Sequence, residues 1–326
     1  MQNIRFLKQD SVNANTNAKP GKLNALIKDY MLLTKFTLSF TVVFSCVISY
    51  LLSPNTLVSN VAKIIELFVA GLLVTGAANA INQAVEKDTD ALMKRTANRP
   101  VAAGRISQQQ ALVFAYVSGI VGVAMMWYCF NLASAFLSAF SMFLYAYIYT
   151  PLKKKSSIAV LVGAFPGAFP CLIGWVAGFV PGGDNSWYGG LVLFLIQFLW
   201  QFPHFWAIAW VAHGDYTRAG FKLLPSDKGP TKNTAMKAVV YSVLMVPVGM
   251  LAFLPFGGGH PLNEISTLGG KISFGIVLLC NLFMVVQCIR LYFNLDVKSA
   301  RRVMFSSYIY LPVVLLALLS AVSKNF

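Results

Sequence analysis

Residues 67–81 read LFVAGLLVTGAANAI, and residues 82–100 read NQAVEKDTDALMKRTANRP. The first stretch extends back to about residue 60 and is long and apolar enough for a membrane helix, which needs roughly 20 such residues to cross the hydrocarbon. The second stretch is dense in charge. Acids cost free energy near lipid, so an intramembrane acid is a functional candidate by default. Acids and bases placed together at the end of one apolar helix point to a ligand that needs both.

The rest of the chain repeats the apolar theme. Of its 326 residues, 57% are hydrophobic and 11% charged, and the mean hydropathy is +0.65. Nine apolar spans fall near 31–53, 60–83, 110–128, 131–149, 157–180, 188–212, 235–256, 268–290 and 303–323. No alternating ten-residue segments of the β-barrel kind are present. The expected fold class is therefore all-α: a polytopic membrane bundle of about nine helices. Cys46, Cys129, Cys171, Cys280 and Cys288 lie in or beside apolar runs without metal-type spacing. They read as small buried hydrophobes.

The net charge of +15 could indicate nucleic acid, but the distribution of the bases argues against that partner. If the N-terminus is cytoplasmic, 23 of the 26 Lys and Arg residues fall on the inside and only Lys63, Lys271 and Lys324 outside. This is the positive-inside pattern. Residues 1–30 are polar and basic, with no cleavable signal, and read as a mostly disordered cytoplasmic tail. Residues 31–326 read as one transmembrane domain. Long acidic loops follow spans two and six, four spans apart. They hint at four-helix repeats over about 31–149 and 157–290, with a final helix at 303–323.

On a continuous helix, Asn82, Glu86 and Asp90 share one face at i, i+4 and i+8. Asp88 lies off that stripe. Stacked oxygen donors repel one another unless a cation sits among them. Mg²⁺ suits such a set, because it takes a few carboxylates together with phosphate oxygens and water. Lys94, Arg95 and Arg99 follow and could bind the phosphate. The alternative is a solvated helix end whose bases only set topology. The loop AWVAHGDYTRAGFKLLPSDKG at 209–229 offers Asp215 with Arg218 and Lys222 behind it, and YTPLKKK at 149–155 adds Tyr149 and Lys153. In QFPHFWAIAW, His204 follows Pro203 inside span six. It is either a functional group or a hydrogen-bonded interior histidine. Glu66 pairs most simply with Lys63, one turn away.

Taken together, these segments resemble the UbiA superfamily of intramembrane prenyltransferases, and within it the branch that farnesylates heme. The similarity runs through NQAVEKDTDALMKRTANRPVAAGRI, YTPLKK, GAFPGAFPCLIGW, QFPHFWAIAW and DYTRAGFKLLP, in that order, and covers about residues 30–325. It implies a nine-helix bundle around a central cavity, open sideways to lipid and capped on the cytoplasmic side of a bacterial inner membrane. Two acidic motifs would face each other across the cavity mouth and hold Mg²⁺ and farnesyl diphosphate, with Asn82, Glu86, Asp88, Asp90 and Asp215 as the metal set. Two departures stand out. Glu86 occupies the place of the superfamily's first Asp, and Ala212 stands where quinone-type relatives carry an Asp.

The resemblance implies transfer of a farnesyl group to a vinyl group of heme b, giving heme O for a terminal oxidase. Heme A synthase or oxidase assembly proteins would be the partners. Asn82, Glu86, Asp90 and Asp215 are the expected catalytic residues, and His204 is the candidate heme contact. The alternatives are a prenyltransferase of the same superfamily acting on an aromatic quinone precursor, an anion transporter and a heme-delivery protein.

Overall fold

The computed structural model describes residues 22–57, 59–226, 228–255 and 262–322. Thirteen α-helices follow in chain order: α1 Lys22–Leu33, α2 Phe36–Leu52, α3 Val61–Val85, α4 Lys87–Ala91, α5 Gln108–Cys129, α6 Leu132–Phe143, α7 Thr150–Leu152, α8 Ala159–Ala177, α9 Tyr188–Val211, α10 His213–Arg218, α11 Lys232–Met250, α12 Leu268–Asn294 and α13 Val297–Ser320. There is no strand among the described residues. Eight helices are long and apolar enough to cross a membrane, and α1 with α2 forms a further candidate span bent by 53°.

The bend corrects the first expected span and part of the expected tail. The chain is helical from Lys22, not only from residue 31. The helix breaks at Lys35, whose backbone adopts the left-handed region with φ 48°. Residues 1–21 and Lys324 lie outside the described residues, as does the Gly-rich stretch at 256–261.

The most enclosed span is α8, with 78% of its apolar window buried, whereas α6 has 22%. Lipid tails are as apolar as leucine, so membrane helices associate through close packing and interhelical hydrogen bonds. Small residues along α8 provide the close approach. A Cβ added at Gly174 would lie 1.9 Å from the carbonyl oxygen of Cys46 on α2. Hydrogen bonds add direction: Trp200 Nε1 donates to the Ser307 carbonyl (2.9 Å) and Tyr310 Oη to Asn281 Oδ1 (2.8 Å). All five cysteines are free. Lys63 and Glu66 pair at 2.8 Å, as their spacing predicts.

Two turns in the chain share a geometry. α3 ends at Glu86 (φ −93°, ψ 13°) and α9 ends at Ala212 (φ −96°, ψ 17°). Each break leads directly into a short helix, α4 or α10. The i→i−4 backbone bonds persist through both: Asp90 N donates to Glu86 O, and Tyr216 N to Ala212 O. Ile208, Ala212 and Tyr216 therefore occupy the places that Asn82, Glu86 and Asp90 occupy in the first half.

Candidate active site

Asn82, Glu86 and Asp90 are 1%, 4% and 1% exposed. A buried charge persists only when paired, and each of these side chains has a cationic partner. Arg99 Nη1 donates to both carboxylate oxygens of Asp90, at 2.9 and 2.7 Å. Lys153 Nζ lies 2.5 Å from Glu86 Oε1. That contact is an ion pair without hydrogen-bond alignment, so this buried oxygen has no hydrogen-bond donor. Lys35 Nζ donates to Asn82 Oδ1 at 2.9 Å, and Asn82 Nδ2 donates to Thr150 Oγ1 at 3.2 Å. Lys35 is also within electrostatic reach of Arg99, Lys153, Glu86 and Asp90. Three basic side chains thus surround two carboxylates and an amide.

The elements that carry these groups depart from ideal helix geometry where function would use the departure. α6 continues as a π-helical turn over Leu144–Tyr149 and then as α7. Such turns recur at functional sites. Here the turn presents Tyr145 and Tyr149, whose ring centroids are 5.3 Å apart. Lys153 Nζ lies 4.9 Å from the Tyr149 ring centroid and 5.3 Å from that of Phe221. Gly163 makes room for this arrangement, since a Cβ there would lie 2.6 Å from the Tyr149 ring.

The loops join above the nest. Arg95 donates to Tyr216 Oη at 3.2 Å, and Lys222 N donates to the Lys153 carbonyl at 2.8 Å. Met93, Ala219 and Phe221 form a small apolar cluster that ties the loop after α4 to the loop after α10. The expected meeting of the two loops is therefore present.

Several expected site residues stand apart. Asp88 and Lys94 are exposed. The break at Glu86 turns the short α4, and Asp88 lies on its solvent side. Asp215 pairs with its own neighbour Arg218 and sits beside an open depression of about 470 Å³ at the Ala212 turn. Among the described residues, no three His, Cys, Asp or Glu side chains converge as a metal-binding group. Of the five residues expected to hold the metal, Asn82, Glu86 and Asp90 come together, while Asp88 is exposed and Asp215 pairs on α10. Lys222 acts through its backbone, and its side chain is exposed. His204 is built into the α9–α13 interface. Its Nδ1 is 2.7 Å from Ser307 Oγ, and its ring stacks on Trp200 at 4.6 Å. That is the hydrogen-bonded interior histidine, with a serine as its partner. Lys35, Tyr145 and Thr150 enter the site although the sequence reading did not single them out. For Lys35 a signal existed: a lone base within LLTKFTLSF, which the topology count absorbed.

Residues 42–311 match the UbiA prenyltransferase family, and the chain belongs to that family. It is therefore a multi-pass integral membrane prenyltransferase. Among curated proteins, it is 43% identical over 288 residues to the protoheme IX farnesyltransferase of Cytophaga hutchinsonii, covering 88% of this chain and 95% of that one. It is 39% identical to the protoheme IX farnesyltransferase of Flavobacterium psychrophilum, covering 90% and 93%. Among solved structures, a digeranylgeranylglyceryl phosphate synthase aligns with a TM-score of 0.70 at 20% identity, covering 90% of this chain and 98% of that one. A UbiA homolog from Archaeoglobus fulgidus bound to GPP and Mg²⁺ aligns at 0.63 and 15% identity, covering 89% and 99%.

Proposed function

We propose that this chain transfers the farnesyl group of farnesyl diphosphate to a vinyl group of heme b, giving heme O and diphosphate. The observation that carries the diphosphate part of this reading is the buried nest of Lys35, Arg99 and Lys153 around Asn82, Glu86 and Asp90; the farnesyl donor and heme acceptor follow the names of the relatives. The nest places bases that suit phosphate oxygens beside acids that suit a metal cation.

Asn82, Glu86 and Asp90 fit a Mg²⁺ ion by donor chemistry once Lys153 moves off Glu86 and Arg99 off Asp90. The metal would supply Lewis-acid neutralisation of the diphosphate charge. Before substrate binds, Arg99 and Lys153 keep the two acids from repelling one another. When the diphosphate arrives, Arg99 and Lys153 are positioned to turn from carboxylate to phosphate oxygens. Arg99 offers a planar two-pronged donor and Lys153 a point charge. As the bond between C1 and the diphosphate oxygen breaks, these groups stabilise the leaving charge. The Tyr145 and Tyr149 rings present π faces to the allylic cation. The vinyl carbon then forms a bond to C1. Water adds at the adjoining carbon, leaving a hydroxyl there and releasing a proton. The apolar loop cluster of Met93, Ala219 and Phe221 limits access of bulk water to the cation. We place this site at the cytoplasmic face of a bacterial inner membrane, on the distribution of Lys and Arg.

The test uses purified protein with farnesyl diphosphate, Mg²⁺ and heme b, read by mass spectrometry. The expected product is heme carrying one farnesyl group and one hydroxyl. A parallel incubation supplies 4-hydroxybenzoate, an aromatic quinone precursor, as acceptor. Prenylation of that acceptor alone would overturn the assignment of heme.

A further inference from the structure

On the far side of α13 from His204, α12 and α13 enclose a groove of about 520 Å³. On α12 it is lined by Cys280, Phe283, Gln287 and Arg290, at i, i+3, i+7 and i+10, which is one helix face. On α13, Arg302, Phe305 and Ile309 repeat the order from the opposite direction. Both helices place an arginine at one end and apolar side chains beyond it. Phe283, Phe305 and Ile309 are exposed, so the groove opens to the surroundings of the bundle and not to its centre.

Two further observations point to a bound amphiphile. Gln287 is 5% exposed, and its Oε1 has no hydrogen-bond partner. A buried unpaired carbonyl costs on the order of 1–3 kcal/mol, and this one lines the groove one helical turn from Arg290. Neither Arg290 nor Arg302 is within ion-pair distance of a carboxylate among the described residues. Asp296 lies within electrostatic reach of Arg302, but its carboxylate is held by Ser299 N at 2.7 Å.

Length decides the kind of ligand. From Arg290 to Cys280 the helix rises about 15 Å. One leaflet of the hydrocarbon core is half of roughly 30 Å. The arginines lie at the end of α12 that corresponds, by alternation of the spans, to the Asn82 and Asp215 ends of α3 and α9. The groove therefore accommodates a headgroup at one membrane surface and an acyl chain reaching the midplane.

We propose that this groove holds one anionic glycerophospholipid, with its phosphate on Arg290 and Arg302 and a headgroup hydroxyl donating to Gln287 Oε1. Phosphatidylglycerol is the simplest lipid with both features. The site is separate from the diphosphate nest, and the proposal does not depend on the acceptor being heme.

Native mass spectrometry tests it. The purified chain is exchanged into micelles containing phosphatidylglycerol, phosphatidic acid or phosphatidylcholine of equal chain length. One phosphatidylglycerol per chain should survive gas-phase activation that removes phosphatidylcholine. Free glycerol phosphate should not displace it, because the acyl chain contributes to holding it. Arg290→Ala with Arg302→Ala should weaken retention roughly thirtyfold, the attraction of two basic residues to an anionic lipid. Gln287→Leu should keep phosphatidic acid but lose the preference for phosphatidylglycerol over it. Melting temperatures near that of the parent establish that the variants fold. Equal retention of phosphatidylcholine, displacement by glycerol phosphate, or full retention in the arginine variant would each overturn the proposal.

Discussion

Arg99 holds both carboxylate oxygens of Asp90, nine residues earlier in the chain, through one terminal nitrogen. The loop between them folds back so that a base expected to meet only phosphate begins by neutralising an acid. Arg99→Lys keeps the charge and loses the planar fork. The apparent KM for farnesyl diphosphate should rise about tenfold, equivalent to about 1.4 kcal/mol. Asp90→Asn should abolish nearly all turnover while the protein remains inserted. Steady-state kinetics on both variants check this, and near-normal activity of Asp90→Asn would remove Asp90 from the machinery.

The Lys153–Glu86 pair separates stability from activity. Lys153→Met alone leaves a carboxylate buried without its partner, which costs about 3–5 kcal/mol. Adding Glu86→Gln removes the stranded charge, so the double variant should recover most of the melting temperature. It should not recover turnover. Thermal unfolding and product formation measured on the same samples give the answer. Recovery of both would make the pair purely structural.

Gly163 keeps space for Tyr149. Gly163→Ala should push the Tyr149 ring away from Lys153, lowering kcat more than tenfold at saturating farnesyl diphosphate. The conservative check is Tyr149→Phe, which retains the ring and should retain most of the rate. A Gly163→Ala enzyme with parental kcat would show that the ring position is immaterial.

The spans and the charged ends were legible because both follow from solvation. Leu, Val and Phe in runs of twenty have no better solvent than lipid, and charges beside them stand out. The pairings were not legible, because they join distant positions. Lys35 meets Asn82 across 47 residues, and nothing in local spacing predicts it. The stripe of Asn82, Glu86 and Asp90 survived a break in the helix because the i→i−4 bonds continue through Glu86. Asp88, two residues away, turned outward at the same break. Asp215 read as a partner of the first motif, yet Arg218 is nearer on its own helix and pairs with it.

His204 gives a prediction of the opposite kind. Its ring is stacked and hydrogen-bonded between α9 and α13. His204→Ala should lower the melting temperature by several degrees, through lost packing and the lost hydrogen bond to Ser307, whose hydroxyl keeps its bond to the Met304 carbonyl. The Soret band of added heme should stay unchanged. A shifted band would make His204 a heme ligand.

Lys35 adopts a backbone conformation that glycine or asparagine would occupy with little strain, and for lysine it costs on the order of 1 kcal/mol. Substitution by glycine would relieve that strain and also remove the ammonium that reaches Asn82. Durability and activity therefore pull in opposite directions at this position. An engineer ranking substitutions by backbone strain alone would be drawn to residue 35 and would lose the contact with Asn82. At residue 35 one backbone conformation sets both the bend of the first span and the charge that reaches Asn82.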